Sequence, residues 1–374
     1  VKKTAADGVL QPLFLRWRYK MRENKVVYGL IGYGGMGRWH TEILSNVPEA
    51  VIGGIYDIKE EKREEAKAKG FSVYETEEAM LADSDIDVVL IATPNDCHKP
   101  IAIRAMHAGK NVISEKPVTL SSADLLEMEK VAKETGKLFT VHQNRRWDDD
   151  FLIIKKLVEE QKLGHVFRIE SRVHGSRGIP GDWRKEKVHG GGMVLDWGVH
   201  LLDQILYMYG DRKIETVYAS LTNITNQEVD DGFTAILTFE GGTEVLVEVG
   251  TNNYISLPRW YVLGKDGTAV IRDWQLTGEI IRKTGKTEET VIPVKTAAGL
   301  TKTMAPRRED TIVKEDLPKV SGDIADFHRN VVAVIRDGAE PEIKLFQVMR
   351  VMKLMEAIFQ AAETKQVIEF QDQV

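Results

Sequence analysis

The stretch VVYGLIGYGGMG, residues 26–37, joins an apolar run to a glycine pattern and decides the first half of the fold. Val26–Ile31 is apolar without alternation, which is typical of a strand covered on both faces in a parallel sheet. Glycines follow in a G-x-G-x-x-G pattern at Gly32, Gly34 and Gly37. The first permits a tight turn, the second lets the backbone approach a pyrophosphate, and the third lets a helix pack close to the strand. The stretch therefore predicts a dinucleotide-binding turn.

A carboxylate stands where such a turn requires one. Asp57 ends the second apolar run, 20 residues after Gly37, and can accept hydrogen bonds from both ribose hydroxyls of NAD. Its charge would repel the 2′-phosphate of NADP, although Lys59 and Lys62 leave some room for NADP. The alternative is a structural glycine turn with an unrelated surface aspartate. We predict that the cofactor is NAD.

Strands and helices alternate as far as residue 145. Further apolar strands are predicted at Val51–Tyr56, Val88–Ala92 and Asn111–Ser114. Helical stretches lie between and after them at Lys59–Lys69, Pro100–Ala108 and Ser122–Thr135. Repeated βα units indicate an α/β domain built on an open, doubly wound parallel sheet, which we place at residues 25–145.

After Asn144 the pattern changes to longer runs with β character. A helix at Asp149–Glu160, a strand at Val166–His174 and a helix at Met193–Tyr209 precede several such runs between Thr216 and Lys283. This order favours an α+β domain with a large open, mainly antiparallel sheet, at residues 146–345. Residues 346–374 are predicted to form a C-terminal helix and tail that pack back on the body.

Composition narrows the class of protein. A chain of 374 residues predicts two domains, and 51 basic against 57 acidic residues give a net charge of −6. This charge argues against nucleic acid or an anionic membrane as partner. The single cysteine, Cys97, excludes an internal disulfide, and no apolar run approaches the roughly 20 residues of a membrane span. We expect a soluble, cytoplasmic protein.

Residues 1–24 differ from the rest, because basic side chains alternate there with aromatic ones. We predict a dispensable extension or a misplaced start, since Met21 would make a natural start. A functional anchor or targeting arm is the alternative.

A lysine is presented at the carboxyl edge of the predicted parallel sheet, where such sheets bind ligands. The segment Ser114-Glu115-Lys116-Pro117 closes the fourth strand, and Pro117 fixes the backbone there, through either a trans or a cis bond. The charge of Lys116 can polarise a carbonyl or stabilise an alkoxide. A surface lysine beside a turn proline is an equally good interpretation.

Asp196 and His200 are four residues apart and Asp203 is three further on, so all three share one face of the helix predicted at Met193–Tyr209. His200 is the residue type that abstracts a hydroxyl proton near neutral pH, Asp196 can orient it or hold the substrate, and Asp203 can accept from further hydroxyls. The alternative is a solvated face. A metal held by Asp196, His200 and His174 finds no support in an H-E-x-x-H motif or a Cys/His cluster, so we predict no metal ligands.

Taken together, these motifs resemble the Gfo/Idh/MocA oxidoreductases, a family that includes glucose–fructose oxidoreductase and inositol dehydrogenase. The resemblance covers about Lys25 to Phe370. Its matching segments are GYGGMGRWH (32–40), ATPNDCHKPIAIRAMHAGKNVISEKP (92–117), HQNRRWDDDF (142–151), GGGMVLDWGVHLLDQ (190–204) and DFHRNVVAVIRDGAEP (326–341). It implies a Rossmann domain followed by a substrate domain, and NAD-dependent oxidation of a cyclitol, sugar or sugar derivative at a secondary hydroxyl.

The resemblance also implies roles for individual residues. Lys116 and His200 would be the catalytic pair, with Asp196 the third member. The expected cofactor contacts, which include the glycine-turn residues and Asp57 discussed above, are Gly32, Tyr33, Gly34, Gly35, Met36, Gly37, Asp57, Ile58, Thr93, Pro94, His98, Glu115, Lys116, Asn144 and Arg146. The expected substrate contacts are Lys116, Arg145, His174, Trp183, Asp196, His200 and Asp203. Trp183 either stacks on a sugar ring or anchors its loop.

Two other activities stay open. Some relatives oxidise a bound sugar transiently and achieve net glycoside hydrolysis, and a non-catalytic dinucleotide or sugar sensor could use the same fold. The expected partner is a polyol or sugar substrate. Because an open sheet leaves a face to cover, and because the family resemblance implies it, we also expect a homodimer or homotetramer formed through the C-terminal sheet.

Overall fold

The structure is a computed structural model that describes residues 25–287 and 290–371, so the predicted extension at 1–24 lies outside it. Its first domain is built on a five-stranded parallel sheet in the order β2-β1-β3-β4-β5. The strands are β1 (Val26–Ile31), β2 (Ala50–Tyr56), β3 (Val88–Ile91), β4 (Asn111–Ser114) and β5 (Phe139–Val141). Strand order reverses between β1 and β3, which creates a crevice at their carboxyl ends.

Helices cover this sheet on its two faces. They are α1 (Gly35–Leu44), α2 (Glu60–Ala68), α3 (Glu77–Ala82), α4 (His98–His107) and α5 (Ser122–Thr135). Capping residues determine where these helices begin and end, as α5 shows. At its N-terminus the Ser121 side chain accepts a hydrogen bond from the Asp124 N–H, and at its C-terminus Gly136 adopts a left-handed conformation with φ 64°. The doubly wound domain is thereby confirmed.

The second domain carries a nine-stranded sheet in the order β15-β12-β11-β10-β6-β9-β8-β7-β16. Its strands are β6 (Val166–His174), β7 (Ile214–Thr222), β8 (Gly232–Phe239), β9 (Thr243–Gly250), β10 (Trp260–Gly264), β11 (Gly267–Ile271), β12 (Gly278–Lys283), β15 (Ile312–Glu315) and β16 (Ile368–Glu369). A separate hairpin joins β13 (Val294–Thr296) to β14 (Gly299–Thr301). Neighbouring strands are antiparallel except β6 and β9, so the predicted large, mainly antiparallel sheet is confirmed.

One face of this large sheet is buried under helices. Side chains of β8 and β9 alternate between buried and half-buried, as expected where one face meets a core and the other does not. The helices of this half are α6 (Asp149–Glu159), α7 (Val199–Tyr209), α8 (Ala325–Asp337) and α9 (Leu345–Thr364).

The last two helices reach both domains. A ring nitrogen of His328 on α8 lies 3.3 Å from a ring nitrogen of His40 on α1. Residue 328 nevertheless falls inside the predicted second domain. Glu356 of α9 accepts hydrogen bonds from Ser122 of α5. These contacts tie the C-terminal segment to the Rossmann domain. Within the described ranges, no helix has both the length and the apolar character that crossing a membrane demands.

Candidate active site

The glycine turn after β1 is shaped to receive an anionic ligand. Gly32 has φ +96°, and a Cβ there would lie 2.5 Å from the carbonyl oxygen of Ala92. A Cβ at Gly37 would lie 2.1 Å from the carbonyl oxygen of Gly32, so only glycine lets α1 approach the strand. At Gly34 and Gly35 an added Cβ would meet nothing within 4 Å. The open backbone therefore lies at the N-terminus of α1, where a pyrophosphate fits.

Asp57 fixes this turn to the end of β2. Its Oδ2 accepts the Tyr33 N–H at 2.7 Å, and its Oδ1 accepts the Lys59 N–H at 2.9 Å. Basic side chains nearby are already paired, because Arg38 and Lys62 both contact Glu65 at 3.1 Å. The negative charge of Asp57 is thus not neutralised by Arg38 or Lys62.

Buried His98 connects the loops that follow β3 and β4. Its Nε2 lies 2.9 Å from the carbonyl oxygen of Thr93 and its Nδ1 lies 3.0 Å from that of Pro117. Both ring nitrogens therefore contact backbone, and the side chain positions the loops that carry Thr93, Pro94 and Lys116. Ile58, by contrast, is 83% exposed beside Asp57.

Lys116 meets Asp196 across the two domains. Its peptide bond to Pro117 is cis, and its Nζ donates to the carbonyl oxygen of Asp196 at 2.9 Å and to Oδ1 at 3.2 Å. The other carboxylate oxygen of Asp196 lies 3.3 Å from Arg184 Nε. Burial opposes ionisation of Asp196, but the charges of Lys116 and Arg184 outweigh it and hold its pKa below the ordinary value. An ionised aspartate thus anchors the lysine at this position.

The predicted helix face is altered by a π-helical turn at Val194–Gly198, which precedes α7. A π turn contains an extra residue, so the spacing assumed for Asp196, His200 and Asp203 does not hold across it. Among the described residues, Asp196 bonds to Lys116 and Arg184 rather than to His200. The expectation that Asp196 orients His200 is therefore corrected: Asp196 orients Lys116.

His200 is buried and uncharged near neutral pH. Burial, followed by the positive charges of Lys116 and Arg145, holds the pKa of His200 well below its ordinary value. Its Nδ1 has no hydrogen-bond partner in the described part of the chain. A neutral imidazole with a free ring nitrogen beside a lysine can accept a proton.

Beside Asp196 lies an open cavity of about 580 Å³, lined mainly by residues of the second domain. Its polar and aromatic wall includes Arg145, His174, Arg177, Asp196, Trp197 and Trp274. The Arg145 guanidinium lies 4.2 Å from the ring centroid of Trp197 and 5.7 Å from that of Trp274. Aromatic faces and hydrogen-bonding groups together suit a small polyhydroxylated ligand.

His174 lines this cavity, yet the protein already occupies both of its ring nitrogens. The Leu257 N–H donates to Nδ1 at 3.2 Å, so Nε2 carries the proton and donates to Glu248 at 3.1 Å. The prediction that His174 reaches substrate hydroxyls is not supported by these contacts.

The structure does not bring Asp203 or Arg146 to the cavity. Asp203 accepts from Arg146 Nε at 2.8 Å and Nη2 at 2.7 Å, and both side chains are buried. The predicted roles of Asp203 toward substrate and of Arg146 toward cofactor are corrected, because each satisfies the other in a bidentate ion pair.

Two further predicted contacts lie elsewhere. The Trp183 ring lies 4.6 Å from the Arg184 guanidinium, measured to the ring centroid, and Trp183 does not line the cavity. This position corresponds to the alternative in which Trp183 anchors its loop. Glu115, a predicted cofactor contact, is only 4% exposed, and its Oε1 binds His40 and His142. Asn144 is half-buried at the start of a short helical turn, Asn144–Trp147, and its Oδ1 has no partner within the described ranges.

Sequence reasoning missed the aromatic lining. Trp197 stands inside the motif around Asp196, but a tryptophan beside apolar residues is ordinarily a core residue. Trp274 follows β11 in a loop that carries no recognisable signal. Only the fold brings these two rings together, with centroids 6.0 Å apart.

Comparison with known proteins gives a consistent result over nearly the whole chain. Residues 26–143 match a model described as an oxidoreductase family with an NAD-binding Rossmann fold, and residues 151–270 match the GFO/IDH/MocA C-terminal domain. The chain is 28% identical to the scyllo-inositol 2-dehydrogenase (NADP(+)) IolW of Bacillus subtilis, over 95% of this chain and 98% of that protein. It is 30% identical to the myo-inositol 2-dehydrogenase of Thermotoga maritima, over 57% of this chain and 65% of that protein.

A solved structure agrees with the same result. The crystal structure of an NAD-binding protein from Listeria innocua is 50% identical, with a TM-score of 0.89, over 93% of this chain and 100% of that one.

Proposed function

The chain belongs to the Gfo/Idh/MocA oxidoreductase family, and from this premise we propose that it transfers hydride between NAD and a secondary hydroxyl of a cyclitol, sugar or sugar derivative. The observation that carries the proposal is the contact between Lys116 and Asp196 at the carboxyl edge of the parallel sheet, with neutral His200 buried nearby. Two relatives whose names specify inositol dehydrogenases support the substrate class.

The residues present fit a nicotinamide dinucleotide. The open backbone at Gly34 and Gly35 would face the pyrophosphate, and Asp57 would meet the adenosine ribose. When bound, NAD supplies a hydride acceptor.

Proton transfer is assigned to His200. In the oxidation the carbinol C–H electrons leave as hydride, the O–H proton moves to a ring nitrogen of His200, and a C=O bond forms. Lys116 stabilises the negative charge that develops on the substrate oxygen, and Asp196 holds the Lys116 ammonium in place. Trp197 and Trp274 would pack against the apolar face of a ring whose hydroxyls bond to Arg145 and Arg177.

NAD is proposed over NADP because of charge. A 2′-phosphate would approach the Asp57 carboxylate, while Arg38 and Lys62 are held by Glu65. The relative IolW is named for NADP(+), so cofactor preference within the family requires measurement for each member.

The test is NADH absorbance with purified protein, NAD and a panel of inositols, free sugars and glycosides. An increase with cyclitols or sugars supports the proposal and identifies the substrate group. A second outcome is that NAD binds tightly and a glycoside is cleaved, but no substrate produces NADH. The proposed dehydrogenase activity would then be replaced by transient oxidation with net glycoside hydrolysis. Binding without either reaction would favour a sensor.

A further inference from the structure

Three imidazole rings from distant parts of the sequence converge beneath the glycine turn. His40 lies on α1, His142 directly follows β5, and His328 lies on α8, and all three are fully buried. Their ring centroids are 4.5, 5.4 and 6.0 Å apart. One ring nitrogen of each lies within 4.8 Å of a ring nitrogen of the others. We call these three residues the histidine cluster.

Glu115 determines which ring nitrogens of the cluster face inward. Its Oε1 lies 2.7 Å from His40 Nε2 and 2.9 Å from His142 Nδ1. A carboxylate can only accept at these contacts, so each of these nitrogens carries a proton, and a lone pair for a ligand bond is left only to His40 Nδ1 and His142 Nε2. A carboxylate that binds the far ring nitrogen is the usual support of a metal-bound histidine.

Several buried polar atoms in and around the cluster have no hydrogen-bond partner within the described ranges. His40 Nδ1 lies 3.3 Å from His328 Nε2, so one N–H can serve that pair. His142 Nε2 is buried and has no hydrogen-bond partner among the residues the structure describes. The Tyr28 hydroxyl is likewise buried without a described partner, and its ring lies 5.5 Å from that of His328.

We propose that the histidine cluster binds one transition-metal ion, with Zn²⁺ as the best chemical match, through His40 Nδ1, His142 Nε2 and a ring nitrogen of His328. Imidazole ligands suit zinc and its neighbours among the divalent metals. Tetrahedral ligands at bonds of about 2.0–2.1 Å lie roughly 3.3 Å apart, and His40 Nδ1 and His328 Nε2 already have this separation. The ligand nitrogens of the three residues lie within 4.8 Å of one another, so metal binding would draw the His142 ring inward.

Such an ion would have a structural role. It would join α1, the end of β5 and α8, and through Glu115 it would reach the catalytic loop, because the Lys116 N–H donates to Glu115 Oε2 at 3.1 Å. Sequence reasoning predicted no metal because it searched for closely spaced ligands, whereas these three lie far apart along the chain. Hydride transfer does not pass through this site, so the two proposals can fail independently.

Metal content of the full-length, untagged protein tests the proposal. After purification from zinc-supplemented medium without chelators and removal of free metal, elemental analysis should give about one zinc per chain. His142→Gln and His328→Gln should each lower metal content at least about tenfold at equal free zinc. His107→Gln and His165→Gln, at exposed positions, are the matched controls and should keep the full content.

A measurement on wild-type protein avoids dependence on variants that fail to fold. Metal-stripped protein should gain about one Co²⁺ per chain with the intense visible absorption of a tetrahedral site, and zinc should displace it and raise the melting temperature. A zinc content below about a tenth of an equivalent, with no cobalt absorption and no shift in melting, would overturn the proposal. So would full metal content in both cluster variants. The cluster would then be a hydrogen-bonded network alone.

Discussion

Lys116 Nζ donates to both the carbonyl oxygen and Oδ1 of Asp196, at 2.9 and 3.2 Å, and this contact joins the two domains at the candidate site. Lys116 follows β4 of the parallel sheet, whereas Asp196 lies in the π-helical turn that begins the long helix of the second domain. The ammonium is thus held at the carboxyl edge of the parallel sheet by a residue that also lines the cavity of the second domain.

Replacing either member of the proposed catalytic pair should abolish most turnover. We expect Lys116→Met and His200→Asn to lower kcat/KM for alcohol oxidation by about 10²–10⁴, because each removes a group that acts on the reacting hydroxyl. NAD affinity should change much less, which separates a catalytic loss from misfolding.

Exposed residues of the same types provide the controls for this experiment. Lys130→Met on α5 and His107→Asn on α4 should leave turnover unchanged. Turnover of both site variants within a few-fold of wild type would remove Lys116 and His200 from the mechanism.

The first half of this site was predictable from sequence, because its residues lie on elements with strong local signals. The strands β1, β4 and β6 begin and end where their apolar or alternating runs predict. Gly32 and Lys116 are then placed at the carboxyl edge by topology alone, since all parallel strands end there. The three-residue β5 escaped prediction because so short a run carries too little periodicity.

Side-chain partners were less predictable, since tertiary competition decides them. Asp203 has the right type and spacing for a substrate ligand, yet Arg146 occupies both of its oxygens. Local sequence cannot show that an arginine 57 residues away will arrive at the same buried point. The π turn at Val194–Gly198 is similarly hidden, because its composition suits a regular helix.

The pH profile should reveal the cations around His200. Oxidation requires neutral His200, so kcat/KM should be flat near pH 7 and fall only below the ordinary histidine range, where the lowered pKa lies. Arg145→Met removes one positive charge, so it should move this acid limb to higher pH. In the residual activity of Lys116→Met the acid limb should move further than in Arg145→Met, because Lys116 lowers the pKa of His200 more than Arg145 does.

Arg177→Met is the matched control for this profile, since Arg177 lines the same cavity but does not contribute to the lowered pKa of His200. Its acid limb should coincide with that of wild type. An acid limb that stays in place when Arg145 or Lys116 is replaced would mean that another group controls the profile.

Cofactor preference should depend on Asp57. Wild type should use NAD at least about tenfold better than NADP by kcat/KM, which corresponds to roughly 1.4 kcal/mol. Asp57→Asn keeps an acceptor for the Tyr33 or Lys59 N–H but removes the charge, so it should bring the ratio close to one. Glu65→Gln should raise NADP use by releasing Arg38 and Lys62. A wild-type preference for NADP would contradict the assignment.

Trp274 should contribute to substrate binding more than to chemistry. Trp274→Ala should raise KM about two- to twelvefold with little change in kcat, as expected for loss of one aromatic contact. Trp274→Phe should recover part of the affinity. Trp183→Ala is the matched control, because Trp183 is not part of the cavity wall. A KM that responds to Trp183 and not to Trp274 would reverse their roles.

Asp230, a buried carboxylate at the start of the π turn, should make the free energy of unfolding depend on pH. Asp230 Oδ2 accepts the N–H groups of Met193 and Val194, both at 2.8 Å, and burial raises the pKa of Asp230 to about 6. The folded state therefore holds this proton more tightly than the unfolded state. The resulting stabilisation is complete below about pH 4 and is lost as the pH rises through about 6.

Comparison of wild type with Asp230→Asn isolates this effect, because the amide keeps an acceptor oxygen and does not titrate. The difference in unfolding free energy, wild type minus variant, should fall by about 2.4 kcal/mol between pH 4 and pH 7, for a shift of roughly two pKa units. Denaturant titrations of both proteins measure it. For Asp231→Asn the same difference should change with pH in the opposite direction. Burial opposes ionisation of Asp231, but hydrogen bonds from Thr225 and Thr222 outweigh burial and lower the pKa of Asp231. The stabilisation that Asp231 provides is therefore lost as the pH falls. A difference between wild type and Asp230→Asn that stays constant between pH 4 and pH 7 would show that Asp230 is ionised as easily in the folded state as in the unfolded chain.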